Sequence, residues 1–340
     1  MEDFRENKHD YVALHRNHYH KKGKNMPNAT WSHPSVLTLG FAQMTSIKYL
    51  YCALALLGFL MILLASGSVI AAVLLNKSLQ EPMYIFVCVL CANGIYGSVG
   101  FFPSLFVNLI GETQTITYIG CLIQMFCIHT YTAAEMSILA LMAFDRYLCI
   151  CNPLRYNGIM TLAVAYKLIV AAWLFVLIPF TIHFILTILL PLCGSSIVKI
   201  YCDNYSLVKL SCVDTTVNNI YGLFLTVAMV VMVPAFIVAS YIQILRVCAR
   251  SSMDFRKKSL QTCTPHLISL TNYVADILFE VLLHRFTLKN LPYELRIIMS
   301  VQAFVVPPLL NPVIYGLKMR EIKLRIAHMF HINKIRVQEE

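Results

Sequence analysis

The chain has 340 residues, of which 58% are hydrophobic and only 13% charged, with a mean hydropathy of +0.67 and a formal net charge of +10. Soluble domains carry roughly a quarter charged residues, so the composition excludes an ordinary soluble globule and predicts a membrane protein. The basic balance is not a nucleic-acid footprint, because no basic groove interleaved with aromatics accompanies it; it suits a face turned to anionic lipid and an intracellular partner.

Residues 1–25 crowd six Lys and Arg together with His9, His15, His18 and His20 upstream of Met26. They read equally as an upstream extension or as a disordered tail, and scattered histidines in such a tail are ordinarily solvated. Met26-Pro27-Asn28-Ala29-Thr30 looks like a natural start with an Asn-X-Thr glycan acceptor at Asn28. Nothing apolar precedes residue 36, so no cleavable signal is expected and the first apolar stretch would itself direct insertion.

Seven apolar stretches follow, near 47–75, 83–110, 116–148, 159–190, 215–245, 259–283 and 297–317. Crossing a bilayer as a helix takes about 20 mostly apolar residues. The stretches 83–110, 215–245 and 297–317 contain no Asp, Glu, Lys or Arg, which a buried soluble core does not require. Backbone groups in hydrocarbon must be satisfied internally, so the expected fold is all-α, a seven-transmembrane helix bundle. Seven is odd, and the termini fall on opposite sides.

The orientation follows from Lys and Arg. With the N-terminus outside, the inner connections hold Lys77, Arg146, Arg155, Arg246, Arg250, Arg256, Lys257, Lys258 and six more in the tail after Gly316. The outer loops hold Lys199, Lys209, Arg285, Lys289 and Arg296, and the positive-inside rule selects this topology. The organisation is then an outer tail over 1–46, a bundle over 47–317, and an inner amphipathic helix and tail over 318–340. The string Lys318 to Phe330 places Ile322, Ile326, Met329 and Phe330 on one side and Lys318, Arg325 and Lys334 on others, as an interfacial helix does.

Cysteines sort by side. Cys121, Cys193, Cys202 and Cys212 fall outside, where disulfides persist, and four cysteines permit three pairings. Cys149, Cys151, Cys248 and Cys263 face the reducing side. Asn204-Tyr205-Ser206 is a second formal glycan acceptor, poorly placed beside Cys202.

Two motifs carry the chemistry. Asp145-Arg146-Tyr147 closes the third stretch, where a permanently charged guanidinium with five donors can rest on Asp145 or reach a partner's carbonyls. Asn311-Pro312-Val313-Ile314-Tyr315 closes the seventh, where Pro312 breaks the hydrogen-bond ladder and gives the helix a hinge.

The block Met142 to Tyr156, MAFDRYLCICNPLRY, resembles odorant receptors of the rhodopsin-like (class A) G-protein-coupled receptor family almost letter for letter. Pro82-Met83-Tyr84-Ile85-Phe86, Ser240-Tyr241-Ile242-Gln243-Ile244-Leu245 and Lys258 to Leu267, KSLQTCTPHL, are similar to that family's strings. Gly94-Ile95-Tyr96-Gly97 and the long Tyr201-to-Tyr221 segment resemble its fish-type branch, whose ligands are dissolved. The resemblance implies a Cys121–Cys202 bridge, leaving Cys193 with Cys212. It implies a small, water-soluble odorant as ligand, a heterotrimeric G protein of the stimulatory olfactory type, cAMP signalling, and residence in the plasma membrane of sensory cilia. It also implies a coupling and switch set of Asp145, Arg146, Tyr147, Tyr241, Lys258, Asn311, Pro312 and Tyr315. No cofactor and no catalytic residue is implied.

Departures from the family pattern bear on the polar centre. Ser66 stands where the first helix usually has Asn, and Gly94 where the second usually has Asp. Glu135 matches the family's acidic residue in the third helix, and without the second carboxylate a sodium site there is in doubt. A carboxylate at that depth calls for neutralisation or a partner.

Pockets in this fold open outward between helices 3, 5, 6 and 7. Helical spacing points to Met125, Ile128, His129 and Thr132, to Tyr221, and to Asp276, Phe279, Glu280 and Leu283. The apolar ones equally suit packing, and a cationic or polar ligand reaching Asp276 or Glu280 is one expectation. Ile128 in the place of the amine receptors' Asp argues against a monoamine. A class A receptor for a peptide or lipid is the runner-up. A transporter should show an internal repeat, which is not found. An enzyme should show a clustered constellation, and no phosphate loop, His-Glu-X-X-His or Gly-X-Ser-X-Gly occurs.

Overall fold

The computed structural model describes residues 33–40, 48–285 and 293–329, with backbone alone for 277–285 and 293–300. Residues 1–25, Asn28, Phe330, Lys334 and the side chains of Phe279, Glu280 and Leu283 therefore lie outside the described residues.

Seven long helices make up the bundle: α1 Lys48–Leu75, α2 Pro82–Ile110, α3 Tyr118–Cys151, α4 Leu162–Ile188, α5 Thr216–Ala249, α6 Met253–Arg285 and α7 Tyr293–Lys318. A short helix, α8, runs over Arg320–Met329. Local chemistry sets several boundaries. Pro82 occupies the first turn of α2, where a missing N–H costs nothing, and Thr117 and Thr161 accept from Gly120 N and Val164 N to cap α3 and α4. α3 stops at Cys151, and Pro153 opens a seven-residue helix to Ile159. Ala228–Met232 of α5 is wound as a π-helix just before Pro234, whose absent N–H favours a widened turn. α7 stays helical through Pro307, Pro308 and Pro312.

By length and composition, α1, α2, α4 and α5 are each long and apolar enough to span a bilayer. α3 is more polar: it carries Gln124, His129, Glu135, Asp145 and Arg146, and it is the helix against which α2, α4, α5 and α6 all pack. The apolar surface faces outward instead. Leu54, Leu57, Leu60 and Leu64 on α1, Leu174, Ile178 and Ile182 on α4, and Leu223, Phe224 and Val238 on α5 are exposed. Such a surface suits a hydrocarbon solvent.

The core runs in two main clusters. The inner one gathers Phe86, Met136, Leu139, Met142, Ile237, Tyr241 and Tyr315, and the outer one Phe101, Phe102, Tyr131, Tyr201 and Phe304. Phe101 stacks on Phe304 at 4.3 Å between centroids, joining α2 to α7. Gly97 admits the Tyr131 ring where any side chain would collide, which brings α2 and α3 close together.

The outer face is roofed. Strand β1, Val36–Thr38, pairs antiparallel with β2, Thr115–Thr117, placing Leu37 against Ile116 with Leu37 wholly buried. Thr38 N also donates to Ser195 O at 2.7 Å and Gly40 N to Lys199 O at 2.9 Å, so the tail lies on the second outer loop. Gly40 is required there, since a Cβ would strike the Val198 carbonyl. Neither strand was expected from hydropathy.

Candidate functional site

At the inner end, Asp145 is fully buried and Arg146 nearly so. Arg146 donates from Nε to Asp145 Oδ2 at 3.0 Å and from Nη2 to the same oxygen. The other carboxylate oxygen accepts from the Tyr156 hydroxyl at 2.7 Å. Tyr156 is delivered by the short helix that Pro153 opens, and burial together with the Asp145 carboxylate pushes its phenol pKa up, so it stays a donor. Tyr147 packs beside Phe144, and Lys258 is exposed at the start of α6.

A second inner contact is one that the sequence reading did not single out. His266 on α6 is fully buried; its Nε2 donates to Leu139 O on α3 at 2.9 Å, and its Nδ1 meets the Tyr241 hydroxyl on α5 at 2.5 Å. A carbonyl oxygen only accepts, so Nε2 carries the proton and the tyrosine donates to Nδ1. The rings stack at 12°. One imidazole thus ties three helices at the level where the bundle would have to open.

The centre holds Glu135, which is buried and accepts from Asn93 on α2 at 2.7 Å and from Asn311 on α7 at 2.6 Å. Asn93 also donates to Tyr131 O at 3.1 Å. Gly94 does not face this knot with open space: a Cβ there would lie 3.3 Å from Pro308 Cα. Ser66 Oγ, Asn93 Oδ1, Asn311 Oδ1 and the Tyr315 hydroxyl are buried without hydrogen-bond partners among the described residues. Pro312 is buried next to Asn311. Among the described residues no group of three or more His, Cys, Asp or Glu could hold a metal ion.

The outer third divides the ligand candidates. Met125 and His129, with Phe126, line a narrow crevice, with room for about one water, against Phe180, His183 and Phe184 of α4 and Asn204 of the second outer loop. The other described candidates lie elsewhere. Ile128 is packed in the outer core with Phe101 and Phe304, Thr132 offers its carbonyl to the Tyr273 hydroxyl at 2.9 Å, and Tyr221 donates to Pro179 O at 3.1 Å. Asp276 accepts from Gln302 on α7 at 2.7 Å, so it joins α6 to α7 and does not line the crevice. α4, which was not among the expected pocket helices, supplies three of the seven lining residues.

Loop geometry closes the crevice from above. Cys121 and Cys202 are bonded, with Cα atoms 5.3 Å apart, and Cys193 and Cys212 likewise at 5.2 Å. Gln124 Oε1 accepts from Cys202 N at 2.9 Å, fixing the loop over α3. The next residue, Asp203, pairs with Lys199 at 3.0 Å and caps a short helix, Asn204–Val208, by accepting from Ser206 N at 3.1 Å. Burial pushes the Asp203 pKa upward, but the Lys199 charge and the Ser206 bond outweigh it and hold the carboxyl well below the usual range. Asn204 then donates to Thr187 Oγ1 at 2.6 Å, anchoring the loop to α4.

Comparison with known proteins places this arrangement. The olfactory receptor family model matches residues 52–333. Human (Homo sapiens) olfactory receptor 51I2 is 38% identical over 271 residues, covering 78% of this chain and 86% of its own length. Human olfactory receptor 52D1 is 34% identical over 287 residues, 84% of this chain and 89% of its length. Human olfactory receptor 51E1 is 34% identical over 280 residues, 81% and 86% respectively.

Proposed function

The chain belongs to the olfactory receptor family, an odorant-binding, G-protein-coupled and non-enzymatic seven-helix class of multi-pass membrane proteins, and on that premise we propose how an odorant becomes a signal here. The described arrangement is the closed one. Asp145 holds Arg146 and Tyr156, and His266 holds α6 to α3 and α5, so the guanidinium is occupied and covered. An agonist that favours an open inner face shifts the population toward it by its differential affinity for the two states. α6 then leaves α3, and Arg146 and the basic third inner connection, Lys258 included, meet the G protein. Tyr147, Tyr241, Asn311, Pro312 and Tyr315 complete the moving set, with Asn311 and Pro312 forming the joint in α7.

The observation that carries this reading is the buried Arg146–Asp145–Tyr156 group at the end of α3. A charge kept at that depth, already paired yet able to extend, suits a two-state element. The partner is a G protein of the stimulatory olfactory type and the output is cAMP. The receptor works at the plasma membrane of sensory cilia on a dissolved odorant, with residues 1–46 outside and 318–340 inside. Arg146→Ala tests it: the variant reaches the cell surface but fails to raise cAMP with an agonist that activates the wild type. Wild-type signalling by that variant overturns the switch assignment.

A further inference from the structure

Two hydrogen bonds of the same kind join α6 to α3. His266 Nε2 donates to Leu139 O at 2.9 Å, and the Tyr273 hydroxyl donates to Thr132 O at 2.9 Å. The donors stand seven residues apart on α6 and the acceptors seven apart on α3, in opposite order, so the two bonds repeat as rungs of one antiparallel ladder. Seven residues are about two turns and return to nearly the same helix face, which sets the rungs roughly 10.5 Å apart. Their backing differs. The inner rung is shared with Tyr241 of α5. Around the outer rung the bonds close into a ring: Asp276, one turn beyond Tyr273, accepts from Gln302 Nε2 of α7 at 2.7 Å, and Tyr131, next to Thr132, donates its hydroxyl to Ala303 O of α7 at 3.2 Å. α3, α6 and α7 are thus bonded pairwise at one level, through side chains of which Tyr131, Tyr273 and Asp276 are buried.

We propose that this ring is the fulcrum on which α6 turns, with Tyr273 as its positioning residue: the outer rung stays closed while the inner rung parts. The inference rests on the two-state switch reading above. Pulling α6 from α3 at the outer rung also strains the Asp276–Gln302 bond to α7, so the linked bonds resist together where the inner rung has no tie to α7 among the described residues. The spacing makes α6 a lever. Its first residue, Met253, is twenty residues from Tyr273, or about 30 Å at 1.5 Å per residue, against about 10.5 Å for His266. An opening of ~2 Å at His266 breaks a bond of ordinary length and carries the inner end of α6 by about 6 Å. The two rungs then differ in their effect on the equilibrium. A bond made only in the closed arrangement favours that arrangement, whereas a bond kept in both adds stability without shifting the ratio of states.

Cross-linking separates the rungs. Cysteines are introduced in pairs, Thr132→Cys with Tyr273→Cys at the outer rung and Leu139→Cys with His266→Cys at the inner, and each full-length receptor is treated in cells with a short membrane-permeant bis-methanethiosulfonate. The bridged peptide is counted by mass spectrometry, and cAMP is compared with the same receptor untreated and with treated wild type. Bridging the inner pair lowers the agonist response about tenfold, while bridging the outer pair leaves most of it. Where the first outer pair does not reach the surface, Asp276→Cys with Gln302→Cys takes its place with the same expected result. Without any cross-link, Tyr273→Phe lowers the melting temperature of the purified receptor but does not raise basal cAMP, in contrast to His266→Leu. An outer bridge that abolishes the response, or basal cAMP in Tyr273→Phe as high as in His266→Leu, overturns the fulcrum alone. A full response with the inner pair bridged contradicts the switch reading on which it rests.

Discussion

Asn311 donates a 2.6 Å hydrogen bond to Glu135, so the residue that precedes Pro312 in α7 is tied to the buried carboxylate at the middle of α3. Hydrogen bonds to a charged group contribute about 1.5–3 kcal/mol each. Asn311→Leu is therefore expected to lower the melting temperature of the purified receptor and to blunt its agonist response. Glu135→Gln should be milder than Glu135→Leu, because a carboxamide can still accept from Asn93 and donate to the unpartnered Asn311 Oδ1. Equal damage from both substitutions would show that packing, not hydrogen bonding, holds the centre.

Sodium is expected to matter little. Exchanging it for a large organic cation at constant ionic strength should leave basal and agonist-driven cAMP nearly unchanged, since Glu135 is already bonded to two amides. Gly94→Asp is expected to reduce surface expression before it creates any sodium dependence, because its Cβ would press on Pro308 at 3.3 Å. A cAMP assay with and without sodium decides the first point, and flow cytometry of a tagged receptor decides the second.

Tyr156→Phe removes one of the two partners of Asp145 while leaving Arg146 in place. If that bond favours the closed arrangement by about 1.5 kcal/mol, its loss raises agonist-independent cAMP up to about tenfold, since 1.4 kcal/mol is a factor of ten. The effect is opposite in sign to that of Arg146→Ala. A drop in basal signalling would mean that Tyr156 supports the open state instead.

His266→Leu cuts the link from α6 to Leu139 and Tyr241 at once, whereas Tyr241→Phe cuts half of it. Raised basal signalling is expected from both, larger for His266→Leu. The double variant should add little to His266→Leu, because the bond lost in Tyr241→Phe is already gone. Additive effects in this cycle would separate the two residues.

The second outer loop carries the last expectations. Cys121→Ser, Cys202→Ser and the double variant should lose surface delivery equally, since one bond is absent in all three, at a typical cost of about 2–5 kcal/mol. For the Lys199–Asp203 pair, a carboxyl held below its ordinary range adds stability that is present above the unfolded value near 3.9 and is lost only as pH falls toward the depressed folded value. Melting temperature should therefore show no loss from this group between pH 8 and 5. Asp203→Asn should cost about 3–5 kcal/mol by leaving Lys199 buried beside a neutral side chain.

Hydropathy made the membrane spans legible because length and apolarity are properties of one segment at a time, and helix ends fell within a few residues of the expected limits except where α6 begins at Met253. Partner choice is different, since it depends on the rotation and height of one helix against another. Asn93 was hidden beside Gly94: the family pattern marks the acid missing at Gly94, while the adjacent amide makes the bond. His266 stood inside a recognised string yet showed no partner until α3 and α5 were beside it. His183 carried a signal that was available, a lone imidazole in an otherwise apolar stretch, but its burial against Gly222 requires the α4–α5 packing. The tail strand was missed because three residues of alternating burial are too few to stand out.

Thr38 and Ser195 meet across 157 positions of chain, and this separation orders the birth of the receptor. The tail is among the first segments to emerge, yet its docking site is finished only after four helices have been inserted and the second outer loop has crossed and been oxidised. A docked tail is thus a certificate that the first four helices and the second outer loop are in place, legible from the lumen, and an antibody that reads only the docked tail would sort chains past that stage from those that have not reached it.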